Sequence, residues 1–201
     1  MESIIELAYQ AIEEGDDVRD AEFTGGIFEG IETGNLGFVR CTFKNVTFGE
    51  NDIKHLSFAD CTFRNCDISG MRVNDGSIHR SKFIECRGTG AIIDDSAVMH
   101  VEFEKCMLNY LTIAHCKMNS LKFKGCELAR MMLHSCLKPK GLKFTDCNLT
   151  QAEFVAMSLN GVDLSTDDIS GIRISVDDLR GAKISAVQAV QVCGLMGVEI
   201  V

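Results

Sequence analysis

The chain has 201 residues, a hydrophobic fraction of 46%, and 29 acidic against 20 basic side chains, which give a net charge of −9 at pH 7. It lacks an apolar run of the roughly 18 residues that a spanning helix needs, so we expect no membrane partner. Its first residues are acidic, whereas a secretory signal is basic and then apolar, and this difference predicts a cytoplasmic protein.

The first predicted element is a capping helix within residues 1–20, followed by a short lead-in. From Ser3 to Glu14, apolar residues recur with the spacing of one helical face. Ser3 and Glu6 have the spacing of a capping box, and Gly15 is a typical helix terminator. Because an amphipathic helix buries its apolar face, we expect this helix to cover the start of the segment that follows.

Residues 21–185 form one five-residue repeat. All 12 phenylalanines share one phase of it, once a single inserted residue near Pro139 is allowed for. Period five fits neither an α-helix nor a flat strand, so the repeat is a structural unit of its own. Phe43, Phe63 and Phe83 continue a longer period of 20 residues. Four units therefore make one turn of a square coil, and the unbroken repeat favours a single domain.

Nine of the ten cysteines lie two positions before a large apolar residue of the repeat. This phase points inward, so we interpret them as small buried hydrophobic residues in a reducing compartment. A zinc site is the alternative, but stacked parallel thiols do not converge tetrahedrally on one ion. We therefore expect no metal and no cofactor.

The last predicted element, residues 186–201, is a C-terminal helix and tail. The helix is predicted from Ser185 to Met196 and ends at Gly197. Its apolar residues permit a dimer interface, and the alternative is that they only cap their own coil. The candidate interface residues are Val187, Val190, Leu195 and Met196.

The repeat resembles the pentapeptide repeat family, whose pattern is A(D/N)(L/F)XX. Cys61-Thr62-Phe63-Arg64-Asn65 and Cys147-Asn148-Leu149-Thr150-Gln151 are representative copies. The resemblance implies an all-β fold: a right-handed quadrilateral β-helix of about eight coils, roughly 38 Å long, with short N- and C-terminal capping helices. Within the family, residues 159–181 and 186–197 are similar to the Qnr-like quinolone-resistance branch.

That branch implies a function. Its members imitate the shape and charge of duplex DNA, bind type II topoisomerase (DNA gyrase or topoisomerase IV), and protect the enzyme from quinolones. The resemblance also implies a homodimer through the C-terminal helix. The large loops that matter for topoisomerase contact in the best-studied Qnr proteins are absent from this sequence.

The charges are distributed unevenly along the chain. Residues 1–32 carry ten acids and one base, residues 33–147 twelve acids and sixteen bases, and residues 148–201 seven acids and three bases. The acidity is therefore concentrated at the ends. Lysines and arginines beside the phenylalanine column give one side a positive charge, interpreted as a partner contact or simply as a solvated face.

Two groups of outward residues are candidate partner-binding sites. The acidic group comprises Asp75, Asp94 and Asp95, with His55 and His115 on the same side. It could hold a divalent cation, touch a topoisomerase or be an ordinary solvated surface. The apolar group could mark an interface or lie under a local distortion near Gly88, which interrupts the column of large residues. It comprises Met99, Met107 and Tyr110.

The sequence contains no phosphate-binding loop and no nucleophile elbow, so we expect no enzyme. We expect no direct nucleic-acid binding, because all phenylalanines are assigned to the core. Two hypotheses remain: a topoisomerase-binding DNA mimic, and a structural or adaptor rod that binds another protein. A continuous negative stripe favours the first, and charge confined to the ends favours the second.

Overall fold

The computed structural model describes residues 3–31, 34–51, 53–195 and 197. Three helices are present: α1 (Ile4–Glu14), α2 (Val176–Leu179) and α3 (Ala186–Leu195). Most of the remaining chain forms short strands: β1 (Val18–Arg19), β2 (Glu22–Thr24), β3 (Ile27–Phe28), β4 (Asn35–Val39), β5 (Thr42–Lys44), β6 (Thr47–Phe48), β7 (Lys54–Ala59), β8 (Thr62–Arg64), β9 (Arg72–Asn74), β10 (Ser77–His79), β11 (Lys82–Ile84), β12 (Ile92–Asp94), β13 (Ala97–Glu104), β14 (Thr112–Ala114), β15 (Lys117–Lys124), β16 (Met132–His134), β17 (Leu137–Lys140), β18 (Lys143–Thr145), β19 (Glu153–Val155) and β20 (Arg173–Ile174).

The strands pair in parallel at a spacing of 20 residues, as Phe43 with Phe63. The spacing is 21 residues across the insertion, as for Phe123 with Phe144. The pairs define four faces, numbered here in chain order from the face that contains Phe43. The first face holds β2, β5, β8, β11 and β18, and the third holds β9, β12, β14, β16, β19 and β20. The second face holds β3, β6 and a series of single bridges, and the fourth holds β1, β4, β7 and β10. The predicted fold class is confirmed: an all-β parallel solenoid of about eight turns.

The core is the column of large residues predicted from the repeat. On the first face the rings from Phe43 to Phe144 stack with centroids 4.3–5.3 Å apart and planes inclined by 7–16°. Nearer the N-terminus, rings from neighbouring faces meet edge to face, as Phe38 does with Phe28 at 5.7 Å. Both arrangements are favourable for aromatic pairs, and each adds to the stabilisation from burial.

The corners of the coil use an uncommon backbone conformation. Among the described residues, twenty that are not glycine have φ between 45° and 61°, and each lies two positions after a core residue. The turned N–H group bonds to the next coil; Lys105 N–H, for example, donates to Lys124 C=O at 2.8 Å. Inter-coil hydrogen bonds therefore hold the backbone of these residues in the left-handed region of φ and ψ, which L-residues ordinarily avoid.

The cysteines of the repeat are buried and free. Their thiols donate to backbone carbonyls; Cys106 Sγ, for example, lies 3.4 Å from Phe83 O and Glu104 O. The neighbouring Cys86 thiol and burial raise the pKa of the Cys66 thiol, so it stays protonated at neutral pH. The interpretation of these residues as packing side chains is consistent with this geometry.

Two irregularities were expected. The inserted residue forms a bulge, because Lys117 pairs with Leu137 whereas Asn119 pairs with Lys140. The alternative of a local distortion near Gly88 is not supported: the bridges run through Arg87, and Gly88 N–H donates to Met107 C=O at 2.8 Å. Ile68 and Leu108, on the two adjacent coils, fill the space that a side chain at Gly88 would occupy. A Cβ at Gly88 would lie only 2.7 Å from Leu108 Cδ2.

Helices close both ends. The capping box of Ser3 and Glu6 is formed, and Ile4, Ala8 and Ala11 are buried against the first coil. At the other end α3 begins after Ser185, and the Gln188 amide donates to Leu164 C=O and Asp167 C=O at 2.8 and 2.7 Å. Helix α2 was not predicted. Ser175 Oγ accepts from Asp178 N–H at 3.1 Å, and this N-cap starts a helical turn where the repeat predicts an extended segment.

Candidate functional site

The three predicted acidic contacts lie close together. Asp94 ends β12 on the third face, and Asp75 and Asp95 occupy the corner that follows, one coil apart. The side chains of Asp75 and Asp94 are 72% and 43% exposed. We call this group the acidic corner, and its carboxylates are accessible to a partner.

Histidines on adjacent coils modify the acidic corner. His115 Nδ1 lies 2.9 Å from Asp94 Oδ1, and His55 Nδ1 lies 3.3 Å from Asp75 Oδ2. The hydrogen bond to Asp94 raises the pKa of His115. Protonation of His115 therefore neutralises part of the acidic corner as the pH falls.

Ion pairs between adjacent coils balance much of the remaining charge. On the first face Lys124 Nζ lies 3.9 Å from Glu104 Oε1. At the corner after the fourth face, Arg80 donates from Nε and Nη2 to the two carboxylate oxygens of Asp60 at 2.7 Å each, and Arg40 contacts Asp20 in the same way at 2.6 Å. The sequence analysis missed these pairs, although opposite charges spaced by 20 residues would have indicated them.

The predicted apolar contacts have different environments. Met107 and Tyr110 lie on and just after the second face, 53% and 51% exposed. Met99 ends a segment of the fourth face and is half-buried. Arg130 donates to Tyr110 Oη at 3.1 Å, with its guanidinium carbon 5.7 Å from the ring centroid. Met107 and Tyr110 therefore form one accessible group, and Met99 lies on another side of the rod.

Helix α3 carries the candidate dimer residues. Val187 and Val190 are 79% and 58% exposed, and Leu195 packs partly against the core. Met196 lies outside the described residues. Among its ten residues, AVQAVQVCGL, the helix carries no charge. Its outer surface is therefore uncharged and largely apolar, although within the described part of the chain it is the outermost layer of this end.

The interior of the coil is filled by side chains, and the four best-formed depressions on the described surface are open, with volumes of about 190–360 Å³. Within the described ranges, no three His, Cys, Asp or Glu side chains could hold a metal ion. None of the described helices has the length and apolar character needed to cross a bilayer. The candidate sites therefore lie on the outside of the rod.

Several solved structures are similar to the chain. A trypsin-treated form of QnrB1, a plasmid-mediated fluoroquinolone resistance protein, is 18% identical, with 92% of this chain and 98% of that chain covered and a TM-score of 0.40. HetL, a pentapeptide repeat protein involved in heterocyst differentiation regulation in the cyanobacterium Nostoc sp. strain PCC 7120, is 14% identical, with 84% of each chain covered and a TM-score of 0.38. No curated protein matches the chain.

The repeat itself is matched by a protein-family model. The model describes a pentapeptide repeat region and matches residues 36–113 and 56–133. These residues span the coils in which the inward phase and the 20-residue pairing are most regular, and both patterns continue on either side. The chain therefore belongs to the pentapeptide repeat family.

Proposed function

We propose that the protein is a non-enzymatic binding rod that dimerises through its C-terminal end. The observation that carries the proposal is the exposed apolar surface of α3, with Val187 79% exposed and no charge in the helix. Exposed apolar side chains that cluster on one surface typically mark an interface. The last coil covers one side, and a second copy of the chain covers the other.

Dimerisation would place acidic segments at the centre of the assembly. Residues 148–201 carry seven acids and three bases, a net charge of −4 per chain and therefore −8 per dimer. The uncharged surface of α3 lets the two copies meet without charges in direct opposition. The proposed dimer would therefore be a long rod with a negatively charged centre.

The partner that we propose is type II topoisomerase, either DNA gyrase or topoisomerase IV. The rod would occupy the groove that holds duplex DNA, and would modulate the enzyme or protect it from quinolones. The support is the resemblance of residues 159–181 and 186–197 to the Qnr-like branch, together with the acidic centre. Duplex DNA carries one negative charge per about 1.7 Å, so a partner of this kind recognises closely spaced carboxylates.

A second candidate function, an adaptor rod for an unrelated protein, is favoured by the ion pairs. A DNA mimic needs a continuous negative stripe, whereas acids such as Asp60 and Glu104 are each paired with a base on the next coil. Exposed apolar side chains are typical of protein interfaces. Met107 and Tyr110 would then form the contact, and the acidic centre would have no role.

The dimer is tested with the double variant Val187→Asp/Val190→Asp and light scattering after gel filtration. We expect wild type at twice the chain mass and the variant at the chain mass, because four buried carboxylates would oppose one another. Val155→Asp is the matched control, since Val155 is 41% exposed on the third face and away from α3. A monomeric wild type at high concentration would refute the dimer.

The partner is tested by titrating the protein into gyrase and topoisomerase IV assays with and without ciprofloxacin, alongside pull-down of the enzyme subunits. The triple variant Asp75→Asn/Asp94→Asn/Asp95→Asn probes the acidic corner, and Glu85→Gln/Glu127→Gln/Asp146→Asn removes the same charge from other sides. Loss of the effect only in the first variant supports the topoisomerase proposal. No binding of wild type to either enzyme would leave the adaptor rod as the better account.

A further inference from the structure

The two ends of the solenoid differ in how their strand edges are covered. In an interior coil, the peptide groups beside each core residue bond to the preceding coil: Thr47 N–H donates to Gly26 C=O at 3.0 Å, and Gly49 N–H donates to Phe28 C=O at 2.9 Å. Carbonyls at the same positions accept from the preceding coil, as Lys44 C=O does from Gly25 N–H at 2.8 Å. Each coil thus presents a row of donors and acceptors towards its N-terminal side.

In the first coil these groups have no preceding coil to meet. The positions equivalent to Thr42 and Lys44 are Glu22 and Thr24 in β2, and the position equivalent to Thr47 is Ile27 in β3. Strands β2 and β3 are each at the end of their sheet, and within the described part of the chain no strand pairs with their outer edge. The first coil therefore ends in an open strand edge.

Helix α1 covers the core of this end and leaves the edge open. Ile4 and Phe23 are each 6% exposed, whereas Glu22 and Thr24 are exposed and Ile27 is 53% exposed. Between the first turn of α1 and the edge lies a groove of about 320 Å³, lined by residues 3–5 and 22–27. It has an apolar floor and one wall made of backbone groups. This combination suits an extended peptide, whose backbone pairs with the edge while alternate side chains enter the groove.

The opposite end is partly covered by the chain itself. Leu164 N–H donates to Lys183 C=O at 2.8 Å, so residues near 183 continue the pairing beyond the last full coil. The Gln188 side chain then satisfies Leu164 C=O and Asp167 C=O. Strand β20 also ends its sheet, but residues 183 and 188 cover part of that end, whereas the outer edges of β2 and β3 have no such partner among the described residues.

The charge around the open edge determines which kind of strand can pair with it. Between residues 3 and 31 the end carries eight carboxylates and a single basic side chain, Arg19. Edge-to-edge pairing of two copies would oppose these charges directly and is disfavoured. A peptide with lysine or arginine at alternate positions would instead be attracted, with its apolar side chains towards Phe23 and Ile27.

We propose that the edge of β2 and β3, with the groove beside α1, binds an extended basic segment of a partner protein by strand addition. The site lies at the end opposite to α3, so a dimer would present two such sites at its outer ends. It is independent of topoisomerase binding, since it uses neither the acidic corner nor the C-terminal coils.

The test uses fluorescence anisotropy with a labelled synthetic peptide of alternating lysine and valine, and backbone amide NMR of the full-length protein. We expect saturable binding, weakened by salt, with shifts at Glu22, Thr24 and Ile27 and none in the middle coils. An alternating glutamate and valine peptide should not bind. If both peptides bind equally, or if the shifts lie elsewhere, the proposal is wrong.

Thr24→Pro provides the decisive variant. Proline removes one outward N–H that takes part in no inter-coil bond and is tolerated on edge strands, so the coil should fold as before. We expect affinity for the lysine peptide to fall about tenfold. Thr24→Val is the matched control, because it keeps the N–H and should bind as wild type does. Unchanged affinity in folded Thr24→Pro overturns strand addition; if this variant fails to fold, the NMR map of wild type decides.

Discussion

Phe63 and Phe83 lie one coil apart with ring centroids 4.3 Å apart and planes inclined by 7°. Phe103 continues the stack from Phe83 at 4.6 Å. Phe83 is therefore packed between two parallel rings and is fully buried. Phe63 contacts one side of the Phe83 ring and Phe103 contacts the other. Loss of that ring should therefore affect three successive coils.

We predict that Phe83→Ala lowers the free energy of unfolding by about 3–5 kcal/mol, because it leaves a cavity between the two rings. Phe83→Leu should cost about 1–2 kcal/mol, since Leu108 and Leu128 occupy equivalent positions on the second face. Urea unfolding followed by far-ultraviolet circular dichroism measures both. Met107→Ala, at an exposed position, should change stability by less than about 0.5 kcal/mol. Equal costs for the leucine and alanine variants would show that filling the volume restores no stability, and would contradict the cavity as the cause of the loss.

Gly88 gives a second prediction, from overpacking. A Cβ at this position would lie 2.7 Å from Leu108 Cδ2 and 2.8 Å from Ile68 Cγ1. Gly88→Ala should therefore lower the free energy of unfolding by about 1–3 kcal/mol.

Shortening a neighbour tests the cause of that loss. Leu108→Ala alone should destabilise by about 2–5 kcal/mol, but the double variant should lose clearly less than the sum of the two. Additive losses would show that the space around Gly88 is not the reason. Gly90→Asn is the control, because Gly90 has open space around it and a positive φ that asparagine accepts.

The core was predictable from sequence because the coil imposes one phase on every inward residue. Val73 and Ile113 are buried on that phase without any aromatic signal. The left-handed corners were not predictable by the usual signal, because residues such as Lys105 and His115 occupy them without being glycine. Their conformation is imposed by hydrogen bonds to the next coil, which residue preferences alone do not report.

The candidate site was harder to predict, because it depends on side chains from neighbouring coils. Asp94 and His115 were predicted on the same side of the coil, but the 2.9 Å contact between Asp94 Oδ1 and His115 Nδ1 was not predicted. Helix α2 was missed for a different reason. The N-cap formed by Ser175 and Asp178 is a local signal, and it prevails where the solenoid ends and no further coil requires an extended strand.

The corners themselves give a third prediction. Lys105 is exposed with φ of 54°, a conformation that costs a β-branched residue more than lysine. Lys105→Val should destabilise by about 1–2 kcal/mol, and Lys105→Gly should be neutral or slightly stabilising, because relief of strain offsets the greater freedom of glycine when unfolded. Thermal unfolding of the two variants separates them. Lys122→Val, in strand β15, is the control and should be nearly neutral. A valine at 105 that is as stable as glycine would show that the corner is not strained.

The last prediction concerns Asp167, which is 6% exposed beneath α3. Its Oδ1 accepts from Cys147 N–H at 2.8 Å, and Oδ2 has no hydrogen-bond partner among the described residues. Burial raises the pKa of this carboxyl to about 6, and the charges of Asp146 and Asp163 act in the same direction.

The sign of the pH effect follows from that shift. The unfolded pKa is about 3.9, so the folded state holds the proton more tightly. The stabilisation from the proton is complete below the unfolded pKa and is lost as the pH rises through about 6. At pH 7.5 the ionised, half-partnered carboxylate should therefore lower the free energy of unfolding, by about 1–2 kcal/mol after allowance for screening at the end of the rod.

Asp167→Asn keeps the oxygen that accepts from Cys147 and removes the charge. Its stability should match wild type near pH 4 and exceed it by about 1–2 kcal/mol at pH 7.5, with the difference growing between these values. Urea unfolding of both proteins across this range measures the difference directly, so that other carboxylates cancel. Asp168→Asn is the control, because bonds from the Ser170 hydroxyl and N–H lower the pKa of Asp168, and its removal should not stabilise the protein at pH 7.5. A difference between wild type and Asp167→Asn that does not vary with pH would mean that Asp167 is charged throughout the range and that water reaches its second oxygen.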